Sequence, residues 1–232
     1  MFVCIILMAV GAVSLTLYLI EKIKYYSLKA TMIKAMTSLL FIALAVYCNF
    51  TNTNRSFGAF IIIGLAFGLL GDIWLGLKYA FKEQARNFLF AGFACFAIGH
   101  AIYILGIMSS LDYLREWYAY AIPFGAGLLF GFLILLLEKP MHFNYGEFKS
   151  ACFIYGVLLF STVFTTFFLA VSHGFMVLPY NLLFVGGTLF SVSDLILCGT
   201  YFGGKNQPIF LISNAISYYV AQYLIAFSLF FL

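Results

Sequence analysis

Charge is what this sequence has least of. Only 9% of its 232 residues are Asp, Glu, Lys or Arg, and 65% are apolar, against about 25% and about 45–50% in soluble domains. Mean hydropathy is +1.07. A chain this apolar excludes a soluble domain, and at about 20 residues per crossing its length accommodates eight spans joined by short loops. Histidine is also scarce, with three residues, and no HExxH or CxxC spacing occurs. A zinc site would have to be made from Asp72, Asp194 and His100 alone, so no metal is expected. No GxSxG motif is present either, and neither Ser191 nor Ser193 has a nearby histidine. The five cysteines (Cys4, Cys48, Cys95, Cys152 and Cys198) form no loop pair and read as small apolar packing residues. The first residues lack a basic n-region and a small-residue cleavage site, so a retained first span is expected. A net charge of +4 scattered over short loops gives no nucleic-acid footprint.

What is present is a series of long apolar runs. Spans are expected at about 2–20, 32–49, 57–77, 88–108, 118–137, 150–171, 178–199 and 208–231. Backbone groups in hydrocarbon must be satisfied within their own segment, and barrel alternation is absent, so the fold class is an all-α integral membrane protein forming a single domain over 1–232. Ten of the twelve Lys and Arg residues fall after spans one, three, five and seven or on their flanks: Lys22, Lys24, Lys29, Lys34, Lys78, Lys82, Arg86, Lys139, Lys149 and Lys205. Only Arg55 and Arg115 lie on the other side. This bias puts the basic loops in the cytoplasm and both termini on the opposite face.

Two of the eight acidic residues, Asp72 and Asp194, sit inside apolar spans. A carboxylate at membrane depth is costly and normally faces a protein-lined cavity with a function. In span three, Gly64, Gly68 and Gly71 lead at helical spacing to Asp72, a small-residue stripe that lets a neighbouring helix approach. Span seven repeats the arrangement with Gly187, Ser191, Asp194 and Cys198 on one face and Ser193 beside the carboxylate. Both spans run towards the cytoplasm, so the two carboxylates lie at similar depth. Two carboxyl groups in one low-dielectric hollow share a proton, which equips them for acid–base chemistry. Span four carries His100 and Tyr103 on one face, with His100 as a structural residue, a proton relay or a group that orients substrate; span eight aligns Asn214, Tyr218 and Gln222, as polar lining or interhelical glue. Lys34, at the start of span two, is expected to snorkel to the interface, with an approach to the aspartates as the alternative.

Shifting the sequence by 122 residues lays Asp72 on Asp194, Gly64 on Gly186, Tyr79 on Tyr201 and His100 on Gln222. Two parallel four-span repeats would produce this pattern and bring the aspartates together across a pseudo-twofold axis.

The run Gly71–Leu75 (G-D-x-x-L), Phe96–Tyr103 (F-A-x-G-H-x-x-Y), Phe190–Asp194 (F-S-V-S-D) and Tyr219–Gln222 (Y-V-A-Q) resembles, in order and spacing over nearly the whole chain, the YhhN-like lysoplasmalogenase family of eight-span membrane proteins. The resemblance implies a hydrolase that cleaves the vinyl-ether bond of lysoplasmalogens, with Asp72 and Asp194 as the catalytic pair and lysophospholipid drawn from the bilayer as its partner. Lys34, His100, Tyr103, Ser191, Ser193, Asn214, Tyr218 and Gln222 are expected to support that pair or bind substrate. This chain departs from the family's frequent Lys-Pro in span two, reading Lys34-Ala35. The chemistry requires no cofactor: a carboxyl protonates the vinyl β-carbon, and a carboxylate stabilises the resulting cation and activates water. A member of this family would reside in the endoplasmic reticulum of a eukaryote or the inner membrane of a bacterium. Head-group preference and oligomeric state are open. Two other readings fit the residues: a proton-coupled carrier of a small solute or lipid, and a lipid-binding protein whose carboxylates are structural.

Overall fold

The computed structural model describes residues 1–24, 27–51 and 53–232. Among the described residues every expected span is a helix: α1 Phe2–Lys24, α2 Leu28–Thr51, α3 Arg55–Ala80, α4 Ala85–Ser110, α5 Trp117–Leu136, α6 Lys149–Ser172, α7 Leu178–Phe202 and α8 Pro208–Ser228. All eight are long and apolar enough to cross a membrane. Most run several residues beyond the apolar core of the span, because polar flanking residues continue the backbone ladder into the interface. Pro179 and Pro208 stand at the first turns of α7 and α8, where a missing N–H costs nothing. α2 passes straight through Lys34-Ala35, as expected where the kinking proline is absent.

Neighbouring helices pair as α3 with α4, α5 with α6 and α7 with α8, while α4–α6 and α2–α8 contacts close the bundle. The glycine stripe explains the α3–α4 pairing. A Cβ at Gly64 would stand 2.3 Å from the Tyr103 ring, and one at Gly71 would stand 2.6 Å from the Phe96 ring. From the other side, Gly99 lies against the Gly64 carbonyl. The spacing of Phe96, Gly99 and Tyr103 is thus a packing code for α3. Gly71→Leu is expected to cost about 1–3 kcal/mol, read as a lower melting temperature in detergent.

The contacts follow the 122-residue offset. Gly64 against Tyr103 becomes Gly186 against Ile225, whose Cγ1 would be 2.8 Å from an added Cβ. His100 packs on Phe190 at 4.8 Å between ring centroids, and the offset pair, Gln222 and Gly68, also touches. Phe96 and Tyr218 exchange places under the offset and meet edge to face at 6.2 Å. The α4–α6 contact likewise maps onto α8–α2. The two four-helix halves therefore pack alike, with Phe96 and Tyr218 between them.

Candidate active site

Asp72 is 1% exposed and fully engaged. Its Oδ1 faces the Lys34 ammonium at 2.7 Å, and its Oδ2 accepts from the Ser38 hydroxyl at 2.6 Å and the Tyr218 hydroxyl at 2.8 Å. The expectation that Lys34 snorkels is therefore overturned. Its side chain is only 17% exposed, and it finds a carboxylate inside the bundle before it can reach the interface. Tyr219 fixes the start of α2 by donating to the Lys34 carbonyl at 3.1 Å. An ion pair this deep depends on such added hydrogen bonds to offset desolvation.

Asp194 is half-buried and accepts a hydrogen bond from the Tyr155 hydroxyl of α6. No cation lies within ion-pair distance of it among the described residues. The offset accounts for the contrast. The partners of Asp72 are Lys34, Ser38 and Tyr218; the equivalent positions around Asp194 are Gly156, Phe160 and Phe96. One frame thus presents two carboxyl groups, one in polar surroundings and one beside apolar walls.

Both carboxyl groups line a single hollow of about 20 Å³, together with Lys34, Ser193, Asn214 and Tyr218. That volume is enough for one water molecule. Two further spaces adjoin it. On the side of Asp194 is an apolar cavity of about 270 Å³, walled by Phe93, Leu159, Leu195 and Phe202 among others and sharing Asp194, Phe96 and Leu197 with the hollow. On the side of Lys34 is a polar pocket of about 30 Å³, lined by Tyr18, Lys22, Ser27, Thr31 and Tyr79. Leu75 and Tyr201 border all three spaces. The Lys78 ammonium rests 3.1 Å from the centroid of the Tyr201 ring, at the same end of the bundle.

The other expected site residues divide. Asn214 donates to Ser193 at its carbonyl (2.8 Å) and its hydroxyl (2.9 Å), tying α8 to α7 at the edge of the hollow. Gln222 stands one bond further back, donating to the Tyr218 hydroxyl at 3.1 Å. Ser191 is not at the site, because its hydroxyl turns back to the Thr188 carbonyl of its own helix. His100 and Tyr103 are not there either. They line a separate void of about 10 Å³ with Gln222, beyond Phe96 and Phe190, where His100 Nδ1 meets the Thr162 hydroxyl at 3.2 Å. Of the residues sequence reasoning missed, Ser38 carried a signal, lying one turn after Lys34 on the same face. Tyr219 stands in the Y-V-A-Q motif with no role assigned to it there, and Tyr155 looks like an ordinary aromatic packing residue.

The sequence model of the YhhN family matches residues 29–229. The chain belongs to the YhhN family. No curated protein and no solved structure matches it. The matched segment spans α2 to α8 apart from α2's first residue, and so takes in Lys34, both aspartates and every helix that lines the apolar cavity. As a YhhN family protein the chain is a multi-pass helical membrane protein, compatible with a hydrolase. Among its described residues no three His, Cys, Asp or Glu side chains gather as metal ligands would.

Proposed function

We propose that this YhhN family protein hydrolyses the vinyl-ether bond of a lysoplasmalogen. The observation that supports this reading is the order of the three spaces: an apolar cavity, a carboxyl pair and a lysine-lined pocket in direct succession. A lysoplasmalogen has the same order of parts: hydrocarbon chain, vinyl ether and phosphate head. The chain lies in the apolar cavity, the vinyl ether beside Asp194, and the phosphate towards Lys22 and Lys78. Lys34 is already committed to Asp72.

Asp194, bordering the apolar cavity, gives its proton to the β-carbon, converting the double bond to CH2 and leaving an oxocarbenium ion. Asp72 takes a proton from the water in the hollow as that water's oxygen bonds to the cation. The hemiacetal then breaks its C–O bond to glycerol as its hydroxyl proton passes to the departing glycerol oxygen, yielding a fatty aldehyde and a glycerophospho head group. Net consumption is one water, and the proton gained by Asp72 restores Asp194. A carboxyl donor and a carboxylate acceptor divide the work as in two-carboxylate glycosidases. The reading carries with it a cytoplasmic basic face, with both termini on the opposite side.

Purified protein in detergent, given alkenyl, alkyl and acyl lysophospholipids of equal chain length, is expected to release aldehyde from the alkenyl form and nothing from the other two. Recovery of all three intact, with flux driven by a pH gradient in proteoliposomes, would instead establish the carrier reading. Against a carrier, α3 and α7 continue unbroken past their carboxylates, whereas transporter sites typically use interrupted helices.

A further inference from the structure

The apolar cavity needs a doorway, because its ligand comes from the bilayer. A second apolar space of about 260 Å³ lies outside it, an open groove along α7 walled by Val192, Ile196 and Phe210. Three side chains border both spaces: Met141 and Phe143 from the loop between α5 and α6, and Leu195 of α7. Among the described residues they are all that is shared, so they form the partition. Met141 is 42% and Leu195 49% exposed, so neither is locked into the core.

The loop that holds them is anchored on both flanks of the partition. Glu138 bonds Lys149 at 2.7 Å and the Tyr145 amide at 3.1 Å, contacts that hold its carboxyl below the usual carboxylate range. The Asn144 amide reaches the Phe202 carbonyl of α7 at 3.0 Å. With the backbone held, the exposed Met141 and the half-buried Phe143 can change rotamer without unfolding the loop.

Among the described residues the groove has one cation, Lys205, whose ammonium lies 5.9 Å from both the Phe143 and the Phe210 rings. No carboxylate among the described residues lies within ion-pair distance of it. Apolar walls ending at an unpaired ammonium complement a single hydrocarbon chain carrying a phosphate.

We propose that this groove is the entry site for a single-chain phospholipid, held by its phosphate at Lys205 while its chain lies between Met141, Phe143 and Leu195 and reaches into the apolar cavity, a position that precedes the one with the phosphate towards Lys22 and Lys78. The proposal rests on the cavity being the chain site of the hydrolase. Its test does not depend on hydrolysis. Cys198 lines the cavity and is half-buried, so its alkylation by an apolar maleimide, resolved by mass spectrometry, reports access. Phe143→Ala is expected to raise that rate severalfold and Met141→Trp to lower it. A non-cleavable 1-alkyl lysophosphatidylcholine is expected to protect Cys198. Lys205→Met should raise the concentration needed for half-protection about tenfold, the equivalent of one charge-assisted hydrogen bond. Protection by 1-alkylglycerol, which has no phosphate, should be the same with and without Lys205. Melting temperatures establish that each variant is folded. Alkylation indifferent to both partition variants, or half-protection unchanged in Lys205→Met, overturns the proposal. If the protection pattern holds and no aldehyde is ever released, the entry site stands and only the hydrolase reading fails.

Discussion

Asp194→Asn is expected to lower aldehyde release by about 10²–10⁴-fold, the usual contribution of a general acid. The amide keeps the size of the carboxyl group and can still accept from Tyr155, so folding should be little affected while the transferable proton is gone. Asp72→Asn should cause a comparable loss in turnover together with reduced stability, because it leaves the buried Lys34 ammonium without its counter-charge. The two variants are therefore expected to separate: similar in turnover, different in melting temperature. Near-normal release by either folded variant would remove the acid–base assignment. Tyr155→Phe serves as a control on positioning, with a smaller expected loss because it leaves the Asp194 proton in place and removes only the group that orients it.

The second large effect concerns Lys34. Lys34→Met leaves Asp72 buried with two hydroxyl donors and no cation. Breaking a buried pair from one side costs about 3–5 kcal/mol. Replacing both partners, in Lys34→Met with Asp72→Asn, should recover most of that loss, since no uncompensated charge remains. Thermal unfolding of the two singles and the double gives the coupling directly. Strict additivity would show that Lys34 and Asp72 do not depend on each other. Activity should not return in the double variant, whose recovered stability would show that the fold and the chemistry place separate demands on Asp72.

The spans and the two carboxylates were legible in the sequence for the same reason: in a chain this apolar, each charge stands out against a background that hydropathy alone fixes. The offset between the halves was also visible, and it predicts contacts as specific as Gly186 against Ile225. Other features depend on depth and direction that one helix cannot reveal. Lys34 has a stem long enough to point either way, and only the placement of α3 beside α2 decides that it turns inward. Ser191 and Ser193 are two residues apart on α7, yet one bonds its own backbone and the other faces Asn214. His100 and Gln222 correspond under the offset, but only Gln222 reaches Tyr218 and through it Asp72; His100 meets Thr162 of α6 instead. The apolar cavity had no sequence signature, because a void is made by what distant helices fail to fill. The offset does show afterwards why it lies where it does: Gly156 lines it at the position equivalent to Lys34.

The most direct test of proton delivery from a carboxyl to carbon is hydrolysis of an alkenyl lysophospholipid in deuterium oxide, with the aldehyde trapped at once by reduction. One deuterium at carbon 2 of the product, on a single face, is the predicted result, since a fixed acid approaches the double bond from one side. An unlabelled carbon 2, or label distributed equally over both faces, would contradict protonation by a positioned aspartate.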